Sequence, residues 1–124
     1  MLRQITVLDA DEKQGQEFCG LLEKTGHFSQ FCSSLVRLEE CLETMECLAL
    51  FIDVDTVAIT NVEIRDLSLK YPHIFLFCLS KRRFHPELKD AICYHVYACL
   101  NRPVDPDELR YWLRIISKEE GSKE

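Results

Sequence analysis

Four polar positions stand at the ends of short apolar runs, in a fixed order. Ile5-Thr6-Val7-Leu8 ends at Asp9, Leu48-Ala49-Leu50-Phe51-Ile52 at Asp53, and Ile74-Phe75-Leu76-Phe77-Cys78-Leu79 at Ser80. A later run, Val96-Tyr97-Ala98-Cys99-Leu100, leads into Asn101-Arg102-Pro103. Carboxylates ligate hard divalent cations, and a carboxylate attacks a phosphoryl group once charge on the transferring oxygens is neutralised. A hydroxyl and a guanidinium bind anionic oxygens. Two carboxylates, a hydroxyl and a cation on one edge are therefore the parts of an anion- or metal-handling site.

The elements that must position these residues follow from the pattern. Apolar runs without polar alternation are the mark of buried parallel strands, and open α/β sheets build their sites at the carboxyl ends of such strands. Between the runs the periodicity turns helical. Asp11 to Lys24 reads as a helix with Phe18, Leu21 and Leu22 inward and Gly26 as its stop. His27 to Cys32 is a weak second strand. Ser33 or Ser34 can cap a helix running to about Met45 with Leu35, Leu38 and Leu42 on one face. Thr60 or Asn61 can cap a helix carrying Val62, Ile64, Leu67 and Leu69. Pro86 sits in the first turn of a helix to about His95. Asp105, Pro106 and Glu108 form an N-cap, N1 and capping-box series before Leu109, Trp112, Leu113 and Ile116. Five strands alternating with five helices predict a doubly wound α/β sandwich. Residues 1–118 are expected to form the domain, and 119–124 lie in a polar, frayed tail beginning near Ser117.

Composition narrows the function classes. The chain has 124 residues, 47% of them apolar, and a formal net charge of −6. The largest basic cluster is Lys81-Arg82-Arg83, which argues against direct nucleic-acid binding. No apolar run approaches the roughly 20 residues of a membrane span. The N-terminus enters a strand-like run directly, so no signal peptide is expected and the location is expected to be cytoplasmic. Seven cysteines, an odd number without a Cys-x-x-Cys pair, read chiefly as small buried hydrophobes in a reducing compartment. The four histidines read as surface or edge residues.

With these residues in place the chain resembles the receiver domain of two-component response regulators, over about residues 3–117. In that family an acidic pair ends strand one, a phospho-accepting aspartate strand three, a Ser/Thr strand four and a Lys-Pro strand five. Asp9, Asp53, Ser80 and Arg102-Pro103 stand in that order at intervals of 44, 27 and 22 residues. The resemblance implies a five-stranded parallel sheet of order 2-1-3-4-5, the flavodoxin-like order. It implies a signalling domain rather than an enzyme, with Asp53 accepting phosphate from a histidine kinase or phosphotransfer protein. In that scheme Arg102 neutralises the phosphate and Ser80 reads it. Mg²⁺, weakly held, would be ligated by Asp9 and Asp53, with Asp55 or Asp11 supplementing them.

The departures define an alternative. Ala10 fills the second place of the acidic pair, and Asp11 follows it. Asp53 is followed by Val54-Asp55 rather than Met-Pro. Arg102 replaces the lysine, and a planar guanidinium is not a point-charge ammonium. Cys99 stands where the family carries its aromatic switch residue. Arg102 therefore equally suits an ion pair with Asp9 or Asp53, which would make the chain a phosphorylation-independent pseudo-receiver acting as a protein-interaction module. A third reading uses the cysteines as a thiol sensor. Under either leading reading the family's output surface corresponds to the fourth helix, fifth strand and fifth helix, about His85 to Ser117. That face would support a homodimer or output contact through Tyr94, Tyr97, Arg110, Tyr111 and Arg114.

Overall fold

The computed structural model describes residues 4–44, 46–83 and 85–122. Five parallel strands, β1 (Gln4–Leu8), β2 (Ser29–Cys32), β3 (Cys47–Asp53), β4 (Phe75–Ser80) and β5 (Ala98–Asn101), form one sheet in the order β2-β1-β3-β4-β5. The helices α1 (Glu12–Lys24), α2 (Leu35–Glu43), α3 (Asn61–Lys70) and α4 (Lys89–His95) lie in the crossovers, and α5 (Pro106–Ser122) follows the last strand. The expected class and strand order are both present.

The central strand explains why the apolar runs lack alternation. Every residue of β3 is buried, because both faces of the sheet are covered. Leu50 and Ile52 join Leu8, Leu38, Ile64 and Leu76 on the α2–α3–α4 side. Ala49 and Phe51 join Phe18, Phe77, Leu109 and Leu113 on the α1–α5 side. There Phe51 stacks on Phe77 with centroids 4.6 Å apart, and Phe18 tilts against Phe51 at 5.2 Å. Burial of such rings is the main stabilising term for a domain this size.

Helix ends follow local chemistry. The Asp11 side chain caps α1 by accepting from Gln14 N at 3.0 Å, and Gly26 leaves the helix at φ +87. Thr60 and Glu63 make a reciprocal capping box on α3. Asp105 accepts from Asp107 N at 2.9 Å at the start of α5.

Several boundaries differ from the sequence expectation. Pro86–Leu88 forms a 3₁₀ turn before the short α4. Val96 N still bonds back to Ala91 O, so β5 begins only at Ala98. Helix α5 runs to Ser122, past the tail expected from Ser117. His85 is buried, its ring held by Arg82 O at 3.1 Å, and is not a surface residue. The cysteines are mixed: Cys32, Cys47 and Cys78 are buried, whereas Cys93 and Cys99 are exposed.

Candidate functional site: an acid pocket closed by arginine

Register brings the strand ends together. Leu8 pairs with Ile52, Asp53 with Leu79 and Ser80 with Asn101, so Asp9, Asp53, Ser80 and Arg102 lie along one edge. Asp9, Asp53 and Ser80 are buried. Buried carboxylates require partners, and the partners here come from the protein.

Asp53 Oδ1 accepts from Asp55 N at 3.0 Å and Thr56 N at 2.9 Å. Its Oδ2 accepts from Arg102 Nε at 2.9 Å and Gln14 Nε2 at 3.1 Å. Asp9 Oδ1 accepts from Asp11 N at 2.9 Å and Thr56 Oγ1 at 2.8 Å. Its Oδ2 accepts from Gln14 Nε2 at 2.9 Å and Arg102 Nη2 at 3.3 Å. All four oxygens thus carry two donors each, which matches the acceptor capacity of an ionised carboxylate pair.

Arg102 is the keystone of this network. Its backbone N–H extends the ladder by donating to Ser80 O at 2.8 Å. Its guanidinium is mostly enclosed, packs 5.8 Å from the Phe18 ring centroid and spreads two nitrogens over two carboxylates. An ammonium could not bridge them in this fork geometry. The Arg102–Pro103 peptide is cis.

The expected constellation divides in two. The Ser80 hydroxyl bonds neither the Asp53 carboxylate nor the Arg102 guanidinium. Its Oγ donates to Asp55 Oδ1 at 2.7 Å and accepts from Arg82 N at 2.9 Å. Asp55 Oδ2 accepts from Lys81 N at 2.7 Å. Burial alone would push the Asp55 carboxyl up, but the hydrogen bonds from Lys81 and Ser80 and the charge of Arg82 outweigh it and hold it below its ordinary value. Asp55 is therefore committed to the β4 loop, and Asp11 to capping α1. Neither carboxylate joins Asp9 and Asp53.

Two residues of the network were not singled out in the sequence. Gln14 follows the Asp11 cap by three residues and precedes the core residue Phe18 by one helical turn, which aims it at the sheet edge. Thr56 closes the turn after Asp53, and its Oγ1 also accepts from Ala10 N at 3.1 Å. A polar residue one turn before an inward aromatic was the available signal for Gln14.

The site does not fit Mg²⁺ as arranged. That ion demands several oxygens in octahedral geometry, whereas the available oxygens are already paired and Ala10 contributes none. Among the described residues no group of three or more His, Cys, Asp or Glu side chains is disposed to hold a metal ion.

Known structures share this fold. A signal receiver domain of an HD domain-containing protein from Pseudomonas fluorescens Pf-5 superposes with a TM-score of 0.85 at 18% identity, covering 98% of this chain and 99% of that one. The fold is that of response-regulator receiver domains. A CheY-like receiver domain protein from Methanospirillum hungatei JF-1 gives a TM-score of 0.82 at 14% identity, covering 98% and 99% of the two chains. One from Clostridium thermocellum gives 0.78 at 19% identity, covering 99% and 100%. No family model matches the sequence, and comparison with curated proteins finds no match. The receiver resemblance read from the ordered strand ends is thus present as a fold.

The expected output face is less unified than the sequence suggested. Tyr111 is half exposed and meets Trp112 edge-on at 5.3 Å. Tyr97 packs among Phe75, Phe77 and Trp112. Arg110 and Arg114 instead flank a groove with Thr25 and His27, and Tyr94 lies beside Asn61 and Arg65 on the α3–α4 side.

Proposed function

We propose that this chain is a pseudo-receiver: a receiver-fold signalling module that acts through protein contacts without accepting phosphate. The observation that supports this is the double saturation of every carboxylate oxygen of Asp9 and Asp53, with Arg102 and Gln14 bridging the two. Phosphoryl transfer to Asp53 needs a free oxygen in line with the donor and a cation on the transferring oxygens. Here the cation is the protein's own and points at the nucleophile. Mg²⁺ would have to displace a hydrogen-bonded guanidinium and a carboxamide to reach either carboxylate.

The arrangement fixes one state rather than switching between two. A receiver that reads phosphate needs a hydroxyl free to turn toward it. The Ser80 hydroxyl instead donates to Asp55 and accepts from Arg82 N. The partner in this reading is a protein, bound on the α4–β5–α5 side by self-association or by an output component.

Incubation with acetyl phosphate and Mg²⁺, followed by acid-quenched intact mass measurement, tests the proposal. The expected result is no phosphate on the wild-type chain. Incorporation at Asp53 that Asp53→Asn abolishes would restore the phosphorelay reading, with a histidine kinase or phosphotransfer protein as donor.

A further inference from the structure

Cys78 and Cys99 are register partners on neighbouring parallel strands, so both side chains leave the same face of the sheet. Cys78 is buried and Cys99 exposed. Strand spacing places their α-carbons about 4.8 Å apart, inside the window from which a disulfide can form. Beside them opens a cavity of about 460 Å³. Cys99 and Cys93 lie in its lining, and Arg82, Arg83 and Lys89 contribute cationic side chains. Arg82 is paired with Glu87 at 2.7 Å and faces Asp55 at 3.8 Å, so Arg83 and Lys89 carry the cavity's positive charge toward a small reactant that is anionic and sulfur-reactive.

We propose that Cys78 and Cys99 form a redox-active dithiol that a carboxylate-bearing, low-molecular-weight disulfide oxidises to a cross-strand bridge. The Cys99 thiolate attacks one sulfur of the reagent. The reagent S–S bond breaks, a mixed disulfide forms on Cys99, and one thiolate leaves and takes up a proton. Cys78 then loses its proton and attacks Cys99 Sγ, releasing the second thiolate. Two protein thiols give up two electrons and two protons, and the reagent is reduced to two thiols.

The local electrostatics order these steps. The hydrogen bond between the two thiols lowers Cys99, against the opposing effect of its burial. The same bond, then burial, raises Cys78 strongly. Cys99 is exposed and lines the cavity whereas Cys78 is buried, so Cys99 is the attacking thiol and Cys78 the resolving one. Directly opposed residues on parallel strands hold their β-carbons near the strand spacing, farther apart than the roughly 3.8 Å mean of a relaxed disulfide. The bridge is thus strained and readily reduced, as suits a switch rather than a staple. β5 is a four-residue edge strand and can yield to it. It also carries Arg102 just beyond its end, so the bridge acts on the strand that presents the guanidinium to the acid pocket.

The test is to oxidise the reduced, reductant-free protein with glutathione disulfide, trap with acid and alkylating agent, and map the peptides. The expected product in wild type is a Cys78–Cys99 cross-link that reduced glutathione reverses. Cys78→Ser should stop at a mixed disulfide on Cys99, Cys99→Ser should give neither product, and Cys93→Ser should behave as wild type. Iodoacetamide at neutral pH should alkylate Cys99 faster than Cys93, and Cys78→Ala should remove that advantage. The wild-type map alone decides the matter if a variant folds poorly. A Cys32–Cys41 bridge in its place, reaction confined to Cys93, or no Cys78–Cys99 cross-link at any oxidant concentration overturns the proposal.

Discussion

Arg102 neutralises two buried carboxylates, Asp9 just after β1 and Asp53 at the end of β3, in the place where the receiver resemblance puts a metal ion and a lysine. The replacement is testable by stability. Arg102→Ala leaves Asp9 and Asp53 buried with fewer donors and a net excess of charge, which should destabilise the fold by about 3–5 kcal/mol. Arg102→Lys keeps the charge but not the fork and should fall between the two. Urea unfolding of the three proteins measures this, and equal midpoints would show that the bridge contributes nothing. Asp55 makes a second prediction. Its carboxyl lies below the ordinary value of 3.8 in the folded chain. Its stabilising contribution is therefore present above the unfolded-state value and is lost as pH falls through the lower folded-state value. Asp55→Asn should flatten the acid limb of a stability–pH curve in that range and leave the neutral region's slope unchanged. Residue identities at the strand ends were legible in the sequence, but their pairings were not. Nothing in the spacing of Asp55 or Asp11 shows that the first carboxylate is taken by Ser80 and Lys81 of the β4 loop and the second by Gln14 N before either can reach Asp9.

Elements were set largely by local chemistry, and their glycines show how far that reaches. Gly20 lies within α1, and a methyl group there meets nothing within 4 Å. Gly20→Ala should therefore stabilise the protein by about 0.5–1 kcal/mol, through helix propensity and a less flexible unfolded chain. Gly26 holds φ +87, so Gly26→Ala should destabilise despite equally open space. Thermal unfolding of the pair tests whether backbone conformation or crowding governs these sites. The capping signals at Thr60 and Asp105 placed helix starts well because a cap is a two- or three-residue interaction. Ends were harder to place. Ser117-Lys118-Glu119-Glu120 has no apolar position to bury, so periodicity stops there. Lys and Glu nonetheless favour helix, and α5 continues to Ser122. β5 shows the opposite case: Val96 looks like strand in sequence, but its N–H is used to close α4.

At the scale of the whole molecule, the doubly covered sheet was readable because parallel strands buried on both faces impose a distinctive pattern. The surface was not readable, since exposed side chains obey no periodic constraint. Arg110 and Tyr111 are adjacent in sequence, yet Arg110 shares a groove with Thr25 and His27, which follow α1, while Tyr111 meets Trp112 edge-on. Output or self-association on the α4–β5–α5 side therefore predicts that Tyr111→Ser weakens association. Arg110→Glu with Arg114→Glu should leave it unchanged, and both should alter stability by no more than about 0.5 kcal/mol. Sedimentation velocity across a concentration series separates these outcomes, and a wild-type chain that stays monomeric throughout removes the homodimer.

The central claim is that Arg102 and Gln14 occupy the acid pocket in place of a metal ion. Calorimetric titration with Mg²⁺ of the wild type and of Arg102→Ala combined with Gln14→Ala tests it most directly. The expected result is no binding heat in the wild type at millimolar Mg²⁺, and binding in the double variant, where both Oδ2 atoms are released. Wild-type binding that disappears in Asp53→Asn would contradict it.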